Sequence, residues 1–234
     1  MKIAIMQPYF LPYIGYFQLI AAVDIFIVYD NIKYTKKGWI NRNRMLQNGK
    51  DIVFSLPLKN DSDYLDVRDR ELARDFNRSK LLNQMVAAYR HAPYYSQTIP
   101  LIEAIVSHPP ENLFRFIYHS IALVCLHLGL STEMRISSDV PIDHSLKSQD
   151  KVLALCHRLG ATTYINSIGG IDLYSREAFA AQGVELKFLK SKPFAYAQFG
   201  SAFVPWLSIV DVLMFNSVEA TRNAIASNIE LVCH

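Results

Sequence analysis

Residues 2–30 read KIAIMQPYFLPYIGYFQLIAAVDIFIVYD, and this stretch decides the fold. Lys2 to Met6 is a short apolar run that suits a buried strand. Gln7 to Tyr13 breaks that pattern, with Pro8 and Pro12 fixing the backbone of a tight loop. Gly15 permits a close backbone approach. From Ile14 to Ala22 the apolar residues fit a helix packed on a sheet, and Ile25 to Tyr29 forms a second strand with Asp30 just past it. Strand, loop, helix and strand in about thirty residues is the length of one βαβ unit. Connection chirality makes it right-handed and parallel. Ligands of such units bind beyond the carboxyl ends of the strands, which directs Gln7, Tyr9, Tyr13, Tyr16 and Asp30 toward one candidate site.

The next segment, NIKYTKKGWINRNRMLQNGKDIVFSLPLK, places Asn48-Gly49 between two strand-like arms, Arg44 to Gln47 and Asp51 to Leu56, and so predicts a hairpin. Before it, Lys33, Lys36, Lys37, Arg42 and Arg44 cluster with Tyr34 and Trp39. This is either a solvated loop with an edge strand or an anion site, since Arg42 and Arg44 share one strand face. Lys59 to Asp75 is charge-rich and reads as an exposed loop, Arg70 included. Three helices are expected next: Asn77 to Tyr89, with Leu81, Leu82, Met85, Val86 and Tyr89 at helical spacing, then Thr98 to Ser107, then Pro110 to Leu128 closed by Gly129. They make residues 77–130 a helical layer.

Residues 131–234 return to α/β alternation. Met134 to Ser137 is strand-like, and Gln149 to Leu159 is a helix with Val152, Leu153, Leu155 and Cys156 on its buried side and Gly160 at its end. Thr162 to Ile165 is a strand, followed by Asn166-Ser167-Ile168-Gly169-Gly170. Such a loop is either a plain turn or a set of backbone N–H groups presented to a phosphate. Glu177 to Ala181 is a short helix and Val184 to Leu189 a strand; the tail, Phe203 to Ala226, contains PWLSIVDVLMFN, an apolar helix in which Asp211 must be exposed, paired or hydrogen-bonded, and then another helix. The reading is therefore an α/β fold, a mostly parallel sheet flanked by helices with a helical insertion, in one domain of 234 residues whose N-terminal part spans 1–60.

A net charge of +3 gives no argument for nucleic-acid binding, and no DNA partner is expected. No window approaches the roughly 18 apolar residues of a membrane span. The apolar start is too short for a signal peptide. Cys125, Cys156 and Cys233 are odd in number and lack metal spacing, which suits reduced thiols in the cytoplasm, with Cys125 in the core. There is no Walker lysine loop, GxSxG elbow or HExxH. The histidines show no convergent spacing, and neither metal nor cofactor is expected.

QPYFLPYIGYF (7–17), VDIFIVYD (23–30), KKGWINRN (36–43), LGATTYINSIGGIDLY (159–174) and PFAYAQFGSAFVPWLSIVDVLMFN (193–216) together resemble the WbqC-like family of bacterial polysaccharide gene clusters. The likeness spans nearly the whole chain and implies a role in O-antigen or related glycan synthesis. It suggests transfer of glycine or another aminoacyl group, from an activated donor, to the amine of a nucleotide-linked amino sugar. The alternative is a non-catalytic protein that holds a nucleotide sugar during glycan assembly. A looser likeness joins the first thirty residues to nucleotidylyltransferases, whose HxGH is matched here by Tyr13-Ile14-Gly15-Tyr16 without either histidine. The helix N-terminus would still attract an anion. On these grounds Asp30 or Asp211 is expected to accept the amine proton, and Gln7, Tyr16 or Asn43 to stabilise the oxyanion. Lys36, Arg42 and Arg44 would hold phosphate. Tyr9, Tyr13, Tyr16, Trp39, Ser167, Gly169, Gly170 and Gln198 complete the binding set.

Overall fold

The computed structural model of the chain describes residues 1–109, 111–200 and 202–233. The core of the fold is a six-stranded sheet. Its strands are β1 (Lys2–Met6), β2 (Ile25–Val28), β5 (Glu133–Ile136), β6 (Thr163–Ser167), β7 (Glu185–Ser191) and β8 (Ile229–Val232). Their order across the sheet is β5-β2-β1-β6-β7-β8. The first five are mutually parallel; Ile3 pairs with Ile25 on one side and Tyr164 on the other. β8 closes the edge in the antiparallel sense, with Phe188 opposite Val232. A separate hairpin pairs β3 (Arg42–Gln47) with β4 (Lys50–Ser55), with Asn48 and Gly49 both at positive φ. That is the turn geometry Asn-Gly favours.

Period-two alternation assigns the two faces of the sheet. Ile3, Ile5, Ile25 and Ile27 pack on one side against α5 (Ser148–Leu159) and α6 (Arg176–Ala181), through Val152, Leu155, Cys156 and Phe179. Ala4, Phe26, Val28 and Ile165 face the other side. That side is the larger core, built with α1 (Ile14–Ala21), α2 (Arg78–Tyr89), α3 (Tyr95–Val106), α4 (Leu113–Leu128), α7 (Ile209–Phe215) and α8 (Val218–Ser227). Leu81, Met85 and Tyr89 are the buried face of α2, as their spacing requires. Cys125 is buried.

The chain runs from β1 outward through β2 to β5, then returns to build β6 and β7 on the other side of β1. The order therefore reverses between β1 and β6. Loops leaving adjacent strands diverge there to opposite faces of the sheet and leave a crevice at the carboxyl ends.

Several expectations are corrected. α3 begins at Tyr95, before Thr98, and carries Pro100 within it. α4 begins at Leu113, because the Asn112 side chain accepts from Arg115 N and caps it there; the start assigned to Pro110 lies outside the described residues. The tail forms two helices, α7 and α8, with Ser217 capping α8 after a break at Asn216, and 203–208 is irregular apart from its bridge to Tyr13. Ile168–Leu173, Gly169 and Gly170 included, winds into a 3-10 helix. Arg70 is 4% exposed, not a solvated loop residue. Its guanidinium lies 4.8 Å from the Tyr34 ring centroid and donates to Ser62 O at 2.9 Å, folding the charge-rich loop over itself. Among the described residues no helix is long and apolar enough to cross a membrane, and no group of three or more His, Cys, Asp or Glu side chains could hold a metal ion.

Candidate active site at the strand switch point

A cavity of about 860 Å³ occupies the crevice between the carboxyl ends of β1 and β6. Gln7 and Tyr9 enter it from the loop after β1, Tyr29 and Lys33 from beyond β2, and Ser167, Gly169 and Gly170 from beyond β6. The first turn of α5 forms another wall through Lys147, Ser148 and Lys151. Gly170 lies where an added Cβ would press on the Asn166 side chain, so the 3-10 turn can pack close only without one.

The electrostatics of this cavity are unbalanced. Lys33, Arg68, Lys147 and Lys151 line it against a single carboxylate, Asp66. Lys151 is 3% exposed. Its ammonium sits 5.0 Å from the Tyr29 ring centroid and reaches His144 O at 3.4 Å, a long contact. No carboxylate among the described residues lies within ion-pair distance of it. Burial first, and repulsion from Lys147 second, push its pKa below the ordinary lysine value, with Asp66 and Asp30 only partly offsetting them. No side chain caps the N-terminus of α5. Its first amides and Lys151 therefore bring positive potential to the same space, with Asp150 the one acidic residue of that turn. An anion in the cavity would meet both.

The remaining wall is formed by Tyr29, His144 and Gln7. Burial, then Tyr174, Asp66 and Asp30, raise Tyr29 to about 12, so it stays a phenol donor at neutral pH. His144 is fixed by its neighbours, with Asn31 Nδ2 donating to Nδ1 at 2.9 Å and Nε2 facing Val140 O at 3.0 Å. Both ring nitrogens are thus engaged. Gln7 accepts from the Tyr9 hydroxyl through Oε1 at 3.3 Å.

Beside this cavity lies a second, of about 380 Å³, with Tyr9 in common. Tyr13, Trp39 and Trp206 give it aromatic walls, and Asn43 and Arg44 line it from β3. Trp39 and Trp206 are 43% and 50% exposed. Gly15 lies under this wall: a Cβ there would run into the Tyr13 ring and the Ser191 hydroxyl.

The residues expected in one site divide by location. Gln7, Tyr9, Ser167, Gly169 and Gly170 come together in the larger cavity, and Tyr13, Trp39, Asn43 and Arg44 in the smaller. Tyr16 is buried behind them; its hydroxyl donates to Gln7 O at 3.0 Å. Asp30 lines neither cavity. It is 2% exposed and accepts from the Ser138 amide at 2.9 Å and the Ser138 hydroxyl at 2.6 Å, tying the end of β2 to the turn after β5. Asp211 is buried in the helical core on α7. It accepts from Tyr89 at 2.9 Å, Tyr196 at 2.7 Å and Gln198 at 2.7 Å, so Gln198 too serves this anchor. The Arg42 guanidinium donates to Gly38 O at 2.9 Å and Lys37 O at 2.6 Å, and holds the turn that carries Trp39. Lys36 is exposed and paired with Asp63 at 2.9 Å. Asn43 spends its amide on Phe10 O, Leu11 O and the Arg44 amide.

Sequence reasoning passed over Lys151, Lys147, Arg68, Asp66 and Trp206. For Lys151 a signal exists: in SQDKVLALC it occupies the same helical row as Leu155 and neighbours Val152, a lysine at a core-facing position. Arg68 and Asp66 had none, since their approach depends on how the charge-rich loop folds back over β2. The uncapped helix end facing the crevice belongs to α5, and the α1 N-terminus anticipated from the nucleotidylyltransferase likeness is overlaid by Tyr13.

The model of the WbqC-like protein family matches residues 7–223. The uncharacterized protein Rv1507c of Mycobacterium tuberculosis is 26% identical over 234 residues, covering 94% of this chain and 95% of that protein. No solved structure matches significantly.

Proposed function

The chain belongs to the WbqC-like protein family, and on that premise we propose that it is a transferase of bacterial polysaccharide assembly, acting in the cytoplasm on a nucleotide-linked amino sugar. The observation that carries this reading is the buried, unpaired Lys151 beside the uncapped end of α5 in the switch-point cavity. A diphosphate there gains a buried ammonium, helix amides and the cations Lys147 and Lys33, while Arg68 is paired with Asp66 and Asp69. The sugar then extends along the β1–β6 crevice past Gln7 and Asp66.

The reaction that fits is aminoacyl transfer. The sugar amine attacks the carbonyl carbon of an activated glycyl or other aminoacyl donor, forming a C–N bond and an oxyanion. Collapse of that intermediate breaks the bond to the leaving group, which departs with its electron pair, and the ammonium proton passes to a base. Asp66 is the carboxylate in reach of that proton, and Gln7 the neutral donor placed for the oxyanion. Asp30 and Asp211 are committed to structural hydrogen bonds. The test is mass spectrometry of the purified protein incubated with a nucleotide-linked amino sugar and aminoacyl donors. An amide product lost in Asp66→Asn supports the reading. Tight binding of the nucleotide sugar with no product from any donor class would make the protein a non-catalytic carrier instead.

A further inference from the structure

We infer that the aromatic pocket beside the switch-point cavity is a nucleobase subsite, in which Trp39 and Trp206 clasp the flat ring of the nucleotide whose diphosphate lies at Lys151. This deepens the reading above and rests on it. The chain has two tryptophans, and both line this pocket with large exposed faces. Two half-exposed tryptophans, from segments far apart in sequence and lining one pocket, make the kind of grouped apolar surface that marks a ligand-binding groove. Each is held in place. The Arg42 and Arg44 guanidinium carbons lie 5.6 and 5.7 Å from the Trp39 ring centroid, and Arg42 also holds the turn that carries it. Trp206 has φ +59, a conformation disfavoured for a bulky side chain, and Arg44 Nη2 donates to its carbonyl at 3.2 Å while its ring meets Tyr13 edge-on.

The chemistry of the walls selects a base over a sugar. A pyranose asks for directional partners at each hydroxyl; this pocket offers the hydroxyls of Tyr9, Tyr13 and Ser191 and no carboxylate. Its amide, Asn43, is consumed by the backbone, and Arg44 is consumed by Asp51 and Trp206 O. A nucleobase asks mainly for flat faces, which tryptophan supplies for any base. The pocket meets the cationic cavity at Tyr9, so base and diphosphate of one molecule fall in adjoining compartments.

Because both tryptophans sit here, intrinsic tryptophan fluorescence reads this pocket and no other part of the chain. The experiment titrates the full chain with uridine, guanosine and adenosine diphosphates, with inorganic pyrophosphate, and with glucosamine. Calorimetry gives affinity and fluorescence gives location. At least one nucleoside diphosphate should bind about tenfold or more tighter than pyrophosphate and shift the emission, the size of one base–aromatic stacking contact. Trp39→Ala and Trp206→Gly should each remove that advantage and leave pyrophosphate affinity unchanged. Glycine also relieves the positive φ, so the second variant keeps its fold. Nucleoside diphosphates binding no better than pyrophosphate, or glucosamine shifting the emission in their place, would overturn the base subsite and leave the diphosphate reading standing. Failure of pyrophosphate to bind would overturn the diphosphate reading, and a nucleoside-induced emission shift in that case would still support the subsite.

Discussion

Tyr196→Phe removes a single hydroxyl and tests whether Asp211 is a scaffold or a reagent. The Asp211 carboxylate receives three donors, and the Tyr89 hydroxyl that gives to it also accepts from the Leu46 amide on β3. Asp211 thereby fastens α7 to the hairpin and, through Tyr196 and Gln198, to the segment before it. Burial raises its pKa, and the three hydrogen bonds oppose that rise. In the phenylalanine variant the ring keeps its contacts with Phe194, Phe203 and Phe215. The loss is then one hydrogen bond to a charged acceptor, about 1.5–3 kcal/mol. In a chain of this size that lowers Tm by about 3–12 °C. Asp211→Asn should cost more, since an amide offers one acceptor oxygen to three donors and brings two N–H groups of its own. Thermal melting and urea midpoints measure both. If either variant melts like wild type while amide formation disappears, Asp211 is a reacting group and the structural assignment is wrong.

Two further outcomes follow from the core. Burial pushes Cys125 and Cys156 up to about 12, so in the native protein a thiol reagent should label Cys233 and reach all three only in denaturant; fast labelling of a second thiol would contradict the packing. His108 and His119 stack at 3.5 Å, and burial, helped for His108 by repulsion from His119 and Arg78, lowers both below the ordinary histidine value. The unfolded chain then takes up protons first, so stability falls as pH drops through about 6.5 and levels off below the folded pKa values. His119→Gln should flatten that decline in urea midpoints, and parallel curves for variant and wild type would refute it.

The architecture was legible because short apolar runs and helical stripes alternate cleanly, and because Pro8, Pro12, Asn48-Gly49, Gly129 and Gly160 mark the breaks. β8 was not, since Ile229–Val232 pairs on one side only and carries a weak pattern. The site was half legible. Residues at strand ends, such as Gln7 and Ser167, are placed by topology. Arg42 and Asp211 look identical in sequence to functional groups, and only the structure gives the partners that engage them. Lys151 lay hidden for the opposite reason: a lysine in an amphipathic helix is ordinarily on the solvent face.

The most direct test is calorimetric titration of the wild-type chain and Lys151→Met with inorganic pyrophosphate, with melting curves alongside. Methionine keeps the length of the side chain and removes its charge. The account predicts binding by wild type and a loss of about 10- to 150-fold in the variant, the equivalent of one charged hydrogen bond of about 1.5–3 kcal/mol. It also predicts a Tm equal to or above that of wild type, because a buried cation without a counter-charge burdens the fold. Equal pyrophosphate affinity for the two proteins, or no affinity in wild type, would contradict it.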